Sequence, residues 1–367
     1  MGNSRNRPIG ALLVGSVPLS GAEKVFRVVC SILGDRIRRV PDGETGERWN
    51  WIAWQFPIFA NHPLFDTLPT PQSDVYTKGA TPSSDPFSVV ISGVTQAPRV
   101  KLRSGVLPSD LAFGRLGYAD AARESYVLFR RLKREGVIPQ SCRFQVSLPT
   151  PLASINAYVS LEDQEVVERP YEAMLLAELD EICSSIAHSE LAVQWDVAEE
   201  MAILEGVFPT YFSDTMTGIV ERLSKIGKRV PVGVELGYHF CYGDAGHTPF
   251  WDPIDASALV EVASSVSESV SRPISWIHMP VPRQRIDKDY FAPLTELELR
   301  TGTELYLGLV HYTDGVSGTL KRIEAAQTAV REFGVSTACG LGRRPHETIP
   351  ELLRIHAEVA QTILPVA

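Results

Sequence analysis

Residues 231–241 read PVGVELGYHFC, an apolar run that ends in a histidine and a cysteine two positions apart. A histidine or a cysteine also stands near the end of two later apolar runs, ISWIHMP (274–280) and VSTACGL (335–341). In parallel α/β proteins the functional groups lie at the carboxyl ends of the strands, so these residues are expected to converge. Imidazole and thiolate are the ligands that Zn²⁺ prefers. The sequence therefore predicts a zinc site formed by His239, Cys241, His278 and Cys339.

The rest of the chain alternates between short apolar runs and helical patterns. The runs predict eight strands, at residues 11–15, 36–40, 143–148, 191–196, 231–238, 274–278, 304–310 and 335–339. The patterns predict eight helices, at residues 21–33, 119–136, 171–187, 215–226, 255–269, 291–300, 317–333 and 349–364. Eight strand–helix pairs predict an α/β fold, a (β/α)₈ TIM barrel spanning residues 1–367 as a single domain. A doubly wound open sheet is the alternative, but no Gly-rich dinucleotide turn follows the first run.

Residues 49–117 interrupt this alternation after the second predicted strand. They are rich in aromatic residues, Trp49, Trp51 and Trp54 among them. A βα loop of this length is uncommon and is usually functional. Two compatible interpretations are a packed insertion that covers one side of the barrel and a lid that gives the site an aromatic wall. Residues 87–91 and 99–102 are candidates for a hairpin inside it.

The composition and net charge of the chain limit the classes of molecule that it is expected to bind. The 367 residues carry a net charge of −9 without a basic face, so nucleic acid is not expected. No apolar run is long enough to span a membrane. The five cysteines are odd in number and scattered, which favours a reducing, cytoplasmic location. We expect small-molecule substrates and allow for a homo-oligomer.

Acidic residues follow two further strands. Asp42 and Glu44 come after the second strand, and Asp196 ends the fourth. Carboxylates at this end of a barrel can bind a cationic group or transfer protons. Their ordinary roles are also open, since Asp196 can cap a helix and Glu44 can form an ion pair with Arg48. Two arginines after the sixth strand are candidates for binding an anionic group or belong to a solvated loop: Arg283 and Arg285.

Six short motifs, in chain order and each at a strand end, resemble those of one enzyme family. They are GSVP (15–18), DGETGER (42–48), QVSLPTP (145–151), QWD (194–196), HFC (239–241) and CGL (339–341). The family is the catalytic domain of cobalamin-independent methionine synthase, within the uroporphyrinogen decarboxylase/methionine synthase-like barrel superfamily. The chain resembles a core-type or divergent member. Family members supply a glutamate ligand where this chain has His278, and a histidine where it has Asp42.

The resemblance implies zinc-dependent transfer of a methyl or other alkyl group to a substrate thiol, with a non-folate or unknown donor. Glu44 and Asp196 would hold the ammonium group of the thiol substrate, and His278 is either the fourth ligand or an orienting, catalytic histidine. The other implied substrate-binding residues are Ser16, Asp42, Thr150 and Gln194. His311 and Asp314 would protonate the leaving group. The alternative is a metal-dependent lyase or hydrolase acting on a bulky apolar molecule in the same site.

Overall fold

Seven parallel strands form the central sheet. The computed structural model describes residues 7–69, 98–244 and 249–363. In spatial order the strands are β1 (Arg39–Pro41), β4 (Arg143–Pro149), β5 (Leu191–Val197), β6 (Glu235–Phe240), β7 (Trp276–Pro280), β8 (Glu304–Val310) and β9 (Gly334–Thr337). Every pair of neighbours is parallel, which puts all the carboxyl ends at one edge.

Burial on both faces explains why these runs are apolar without strict alternation. All seven residues of β5 are buried, for example. A large apolar cluster lies between the sheet and its helices, and a small one joins Leu12, Ala192, Trp276 and Tyr306. The Arg39 guanidinium stacks over the Trp276 ring at 4.2 Å. Ion pairs to Glu235 and Glu304 compensate the charge of this buried arginine.

Residues 11–15 contact both ends of the sheet, so the sheet is curled. The Leu12 amide donates to Val335 O in β9 (2.9 Å), and the Ala11 amide donates to Arg36 O, just before β1 (2.7 Å). The predicted parallel α/β class is therefore confirmed. The predicted first strand is present only as one parallel bridge, Ala11 to Val335, so a closed eight-stranded barrel is not observed. Side chains donate hydrogen bonds to backbone carbonyl groups that would pair with a neighbouring strand in a regular sheet. For example, Gln145 Nε2 donates to Leu13 O (3.0 Å).

Helices connect the strands. The helices are α1 (Ala22–Leu33), α2 (Phe56–Ala60), α3 (Tyr118–Arg134), α4 (Pro151–Tyr158), α5 (Gln164–Ser185), α6 (Glu199–Leu204), α7 (Thr215–Arg229), α8 (Ser257–Ser269), α9 (Lys288–Phe291), α10 (Gly315–Ala326) and α11 (Ile349–Val359). The predicted helix 291–300 is not formed as one α-helix: a 3₁₀ turn spans Ala292–Glu296, and residues 297–300 are not helical. No helix within the described ranges is long and apolar enough to cross a membrane.

The described ends of the 49–117 segment pack against the sheet's helices. Strands β2 (Phe65–Thr67) and β3 (Val100–Leu102) pair with each other in antiparallel fashion. Phe59 stacks on Tyr171 of α5 with ring centroids 5.2 Å apart, so this part covers one side of the fold. Of the hairpin predicted for residues 87–91 and 99–102, the first arm lies outside the described residues, and the second arm overlaps β3, which pairs with β2. A lid function remains a prediction.

Candidate metal centre

Three of the four predicted ligands form one cluster at the carboxyl edge of the sheet. One ligand atom from each of His239, Cys241 and Cys339 lies within 4.8 Å of the others. His239 is the second-last residue of β6, Cys241 follows that strand directly, and Cys339 lies two residues after the end of β9. Because alternate strand residues face the same way, the spacing of two places His239 and Cys241 on one side. A set of one imidazole and two thiols, with His239 and Cys241 buried and Cys339 partly buried, fits Zn²⁺.

His278 lies beside this cluster and orients it. Its Nε2 is 3.0 Å from Thr337 O, and its Nδ1 is 2.7 Å from Nδ1 of His239. Burial lowers the pKa of His278 well below its usual value, so the ring is neutral. A neutral His278 that donates from Nε2 to a carbonyl must accept at Nδ1, which makes His239 the donor of that bond. The Nε2 lone pair of His239 is then free to bind a metal.

His278, predicted as a fourth ligand, lies beside the three clustered ligand residues and is not among them. Both of its ring nitrogens are engaged, one with a backbone carbonyl and one with the neighbouring imidazole. The parallel register of β6 and β7 places His278 directly beside His239. The alternative interpretation, an orienting histidine, is the one that the geometry supports.

The two cysteines are hydrogen-bonded to each other. Cys241 Sγ donates to Cys339 Sγ at 3.4 Å. This hydrogen bond is the main reason that the pKa of Cys339 is well below its usual value, and the Arg343 guanidinium acts in the same direction. The bond and burial raise the pKa of Cys241. A lowered pKa favours the thiolate of Cys339, and the thiolate is the form that binds metals.

A cavity that is partly open to solvent lies over the cluster. Charged side chains that line it are Glu44, Asp196, Asp244 and Arg343, and the aromatic ones are Trp51 and Phe250. Burial raises the pKa of Glu44 to about 8, and burial with the Glu44 charge raises the pKa of Asp196. Two carboxylates held together in a shielded site favour binding of a cation.

A strained turn presents Glu44 to the cavity. Glu44 has φ 48°, in the left-handed region that non-glycine residues rarely adopt. Asp42 stabilises the turn, because it accepts the Glu44 amide (2.8 Å) and forms an ion pair with Arg48 (2.6 Å). A Cβ on Gly15 would lie 2.4 Å from Glu44 Oε1, so a larger residue there would displace the Glu44 carboxylate. Asp42, predicted to bind substrate, instead holds the residue that lines the cavity.

Of the other three predicted substrate-binding residues, one lines the cavity and two do not. Ser16 lines the cavity, and its Oγ accepts from the Gly342 amide (3.1 Å). Gln194 is fully buried and donates to Asp196 Oδ1 (2.8 Å), so it positions that carboxylate. Thr150 caps α4 by accepting from the Ala153 amide (3.2 Å). Among the residues that the structure describes, Gln194 and Thr150 are not part of the cavity wall.

His311 and Asp314, predicted as acids for the leaving group, lie in another cluster. His311 Nε2 donates to Val281 O (2.9 Å), and Asp314 forms two hydrogen bonds with Arg322 (2.6 and 2.7 Å). Neither side chain lines the cavity over the metal cluster. Burial lowers the pKa of His311 to about 3, so it carries no proton to give near neutral pH. Their contacts indicate a structural role at the end of β8.

The buried His311 is expected to make the protein acid-sensitive. Its pKa falls from 6.5 in the unfolded chain to about 3 in the fold, so its contribution to stability is present above about pH 6.5. That contribution is lost as the pH falls toward 3, because the unfolded state binds the proton first. We expect His311→Gln to lose less free energy of unfolding than the wild type between about pH 7 and about pH 4.5 in urea titrations. The exposed His346→Gln is the control, and an equal loss in all three proteins would contradict this assignment.

Comparisons with known proteins show the fold. No family model and no curated protein sequence matches this chain. Its structure is similar to that of a B12-independent methionine synthase from a Shewanella species in complex with selenomethionine, with a TM-score of 0.58 and 14% identity over 96% of this chain and 97% of that one. It is also similar to a protein assigned as a vitamin-B12-independent methionine synthase from Listeria monocytogenes (TM-score 0.55, 14% identity, 96% and 97% coverage). At this identity the likeness establishes a common fold.

Arg343 is the main cavity residue that the sequence did not indicate. The sequence pointed to Arg283 and Arg285 for an anionic group, but Arg283 contacts Thr313 (3.1 Å) and Arg285 packs over Tyr290. Neither of them lines the cavity, whereas Arg343 does. The sequence feature that could have indicated Arg343 is its position four residues after Cys339, in the loop that follows a predicted ligand.

Proposed function

We propose that this chain is a zinc-dependent enzyme that transfers a methyl or other alkyl group to the thiol of a small amine-bearing substrate. The observation that carries the proposal is the cluster of His239, Cys241 and Cys339 under a cavity lined by Glu44 and Asp196. The common fold with methionine synthases supports it, and the Shewanella protein contains selenomethionine, an amino acid with an alkylated chalcogen.

His239, Cys241 and Cys339 are the residues that would hold the zinc ion. Bound zinc supplies Lewis-acid activation, which turns a substrate thiol into a thiolate near neutral pH. The residues around the ion have separate tasks. His278 keeps His239 in the tautomer with a free Nε2, and burial shields Cys241 from water.

Glu44 and Asp196 are the groups that would bind the substrate's ammonium. Asp196 is fixed by Gln194, and Glu44 is fixed through the turn that Asp42 holds. No described residue donates a hydrogen bond to the Glu44 carboxylate, so its oxygens face the cavity unsatisfied. An ammonium group that forms charge-assisted hydrogen bonds with both would place the thiol of the same molecule over the metal ligands.

The experiment that tests the proposal measures both the metal content of the protein and the binding of a thiol to the metal. Protein purified without chelator is analysed for metal, reconstituted with Co²⁺ as a spectroscopic substitute for zinc, and titrated with L-homocysteine. We expect about one metal ion per chain, and a thiolate-to-cobalt charge-transfer absorption that increases above the level given by Cys241 and Cys339 and saturates with the thiol. Methyl donors are then screened by mass spectrometry of the alkylated thiol.

Two results would contradict the proposal. Failure of the wild type to bind a stoichiometric metal ion would remove the thiol-activation chemistry. Metal binding with turnover of an apolar substrate in the absence of any thiol would favour the lyase or hydrolase alternative.

A further inference from the structure

We propose that the amino-terminal end of the sheet carries a second ligand site, which binds a multiply charged phosphate. The site is a cavity, open to solvent, at the end of the sheet opposite the metal cluster. Its volume is about 370 Å³, which at about 30 Å³ per water molecule is room for on the order of ten waters. The inference does not depend on the proposed function, since the described residues that line the two cavities are different.

The cavity lies where four parallel strands begin. The first residues of β1, β6, β7 and β8, or the segments just before them, form its wall. Glu235 is the first residue of β6, and His239 of the metal cluster lies four residues further along the same strand. At about 3.3 Å per strand residue, the two sites are about 13 Å apart.

The wall of the cavity carries an excess of positive charge. Its charged residues are Arg38, Arg39, Arg272, Arg300, Glu235 and Glu304. Four arginines and two glutamates leave two positive charges in excess, although the whole chain has a net charge of −9. An excess of this kind, concentrated in one cavity, attracts anions.

Both glutamates of the wall are already engaged by arginines. Glu304 forms ion pairs with Arg38 (2.5 Å) and Arg39 (2.9 Å). Glu235 forms ion pairs with Arg39 (2.5 Å) and with Arg143, which adds a further positive charge behind the wall (3.0 Å). Each carboxylate therefore has two arginine partners, and neither compensates the remaining arginines of the cavity.

Arg272 is a buried cation without a counter-ion. It is 6% exposed, and in the described part of the chain no carboxylate lies within ion-pair distance of it. Its guanidinium donates instead to four backbone carbonyls, those of Val230, Pro231, Val234 and Pro273. These bonds fix the group but bring no negative charge, and burial lowers its pKa. An anion in the cavity would offset the cost of this buried charge.

Arg300 supplies donors that have no partner in the fold. The turn Arg300–Thr303, with Gly302 at φ 92°, holds it at the mouth of the cavity. Its Nη2 donates to Glu268 O (2.7 Å), while its Nε and Nη1 have no hydrogen-bond partner among the described residues. The same holds for both terminal nitrogens of Arg38 and for three hydroxyl groups of the wall, on Ser271, Ser275 and Thr301.

These donors fit a phosphate better than a single carboxylate. A phosphate group carries a charge of about −2 near neutral pH, which matches the excess of the wall, and it has three strong acceptor oxygens. Arginine binds such oxygens in bidentate fashion, and hydroxyl groups can donate to the others. The donors come from residues 38–39, 271–275 and 300–304, three segments far apart in sequence, so no basic motif announces the site.

Calorimetric titration of the full chain with inorganic phosphate and with pyrophosphate, in chloride buffer, tests the site. We expect one saturable site per chain for at least one of the two probes. Tighter binding of phosphate indicates a free ion as the ligand, and tighter binding of pyrophosphate indicates the phosphate chain of a larger molecule. Arg300→Gln should weaken binding about 10- to 100-fold, as loss of a charge-assisted hydrogen bond predicts. The exposed Arg103→Gln, outside both cavities, should bind as the wild type does.

Two further variants separate this site from damage to the fold and from the other cavity. Ser271→Glu adds a carboxylate at an exposed position of the wall and should weaken binding about 10-fold or more with unchanged circular dichroism. Arg343→Gln, which removes the cation of the metal-site cavity, should leave phosphate binding unchanged. No saturable binding to the wild type would overturn the proposal. Equal weakening in Arg300→Gln and Arg103→Gln, or weakening in Arg343→Gln alone, would overturn it as well, and none of these results bears on the metal site.

Discussion

Replacing Cys339 with serine is expected to remove the metal and abolish alkyl transfer while leaving the fold intact. Cys339 is the member of the Cys241–Cys339 pair whose pKa is lowered, and a serine hydroxyl is a poor ligand for zinc. Metal content should fall from about one ion per chain to near zero. Activity should fall by about a thousandfold or more, because metal activation contributes several kcal/mol to the transition state.

The fold should survive because the cluster lies at one edge of a large core. The apolar contacts between sheet and helices, which do not involve Cys339, dominate stability. Circular dichroism and thermal unfolding of the metal-free proteins should therefore be similar for the wild type and Cys339→Ser. Cys183→Ser is the matched control, since Cys183 is buried in α5 away from the cluster and its loss should leave the metal in place. Metal retained at the wild-type level in Cys339→Ser would show that these residues are not the ligands.

Replacing Glu44 with glutamine is expected to weaken binding of amine-bearing thiols by about 30-fold or more. Loss of one partner from a shielded, hydrogen-bonded charge pair typically costs about 2–5 kcal/mol. Binding of 3-mercaptopropionate, which has no amine, should not weaken. Titrations of the cobalt band with both thiols measure the difference, and the exposed Glu47→Gln in the same turn is the control. Equal weakening of both thiols would refute a specific role in ammonium binding.

The same variant should be more stable than the wild type at higher pH when metal and substrate are absent. The pKa of Glu44 rises from 4.5 in the unfolded chain to about 8 in the fold, so the folded state binds the additional proton between these values. The contribution of Glu44 to the stability of the wild type is therefore present below about pH 4.5 and is lost as the pH rises toward 8. Glu44→Gln carries no such charge, and its free energy of unfolding should fall less over that range. A gain in stability with a loss of binding is typical of a functional residue.

Local patterns in the sequence were enough to predict most of the strands. The seven strands of the sheet match predicted runs, because burial on both faces requires continuous apolar residues. Residues 11–15 are equally apolar but form only one β-bridge, because the side chains of Gln145 and Ser336 donate hydrogen bonds to their backbone carbonyl groups. The partners of those carbonyls lie more than a hundred residues away, beyond any local pattern.

The sequence alone predicts that His239, Cys241 and Cys339 meet, since all three stand at or beyond the ends of runs expected to form parallel strands. Strand periodicity is a local property that puts His239 and Cys241 on one side, and the alternation of strands and helices indicates parallel strands whose carboxyl ends lie at one edge. The three-dimensional contacts were needed to find that His278 orients His239, that Asp42 holds Glu44, and that Arg343 lines the cavity. Which neighbour satisfies each donor or acceptor depends on contacts between distant segments and on side-chain direction, and sequence spacing carries neither.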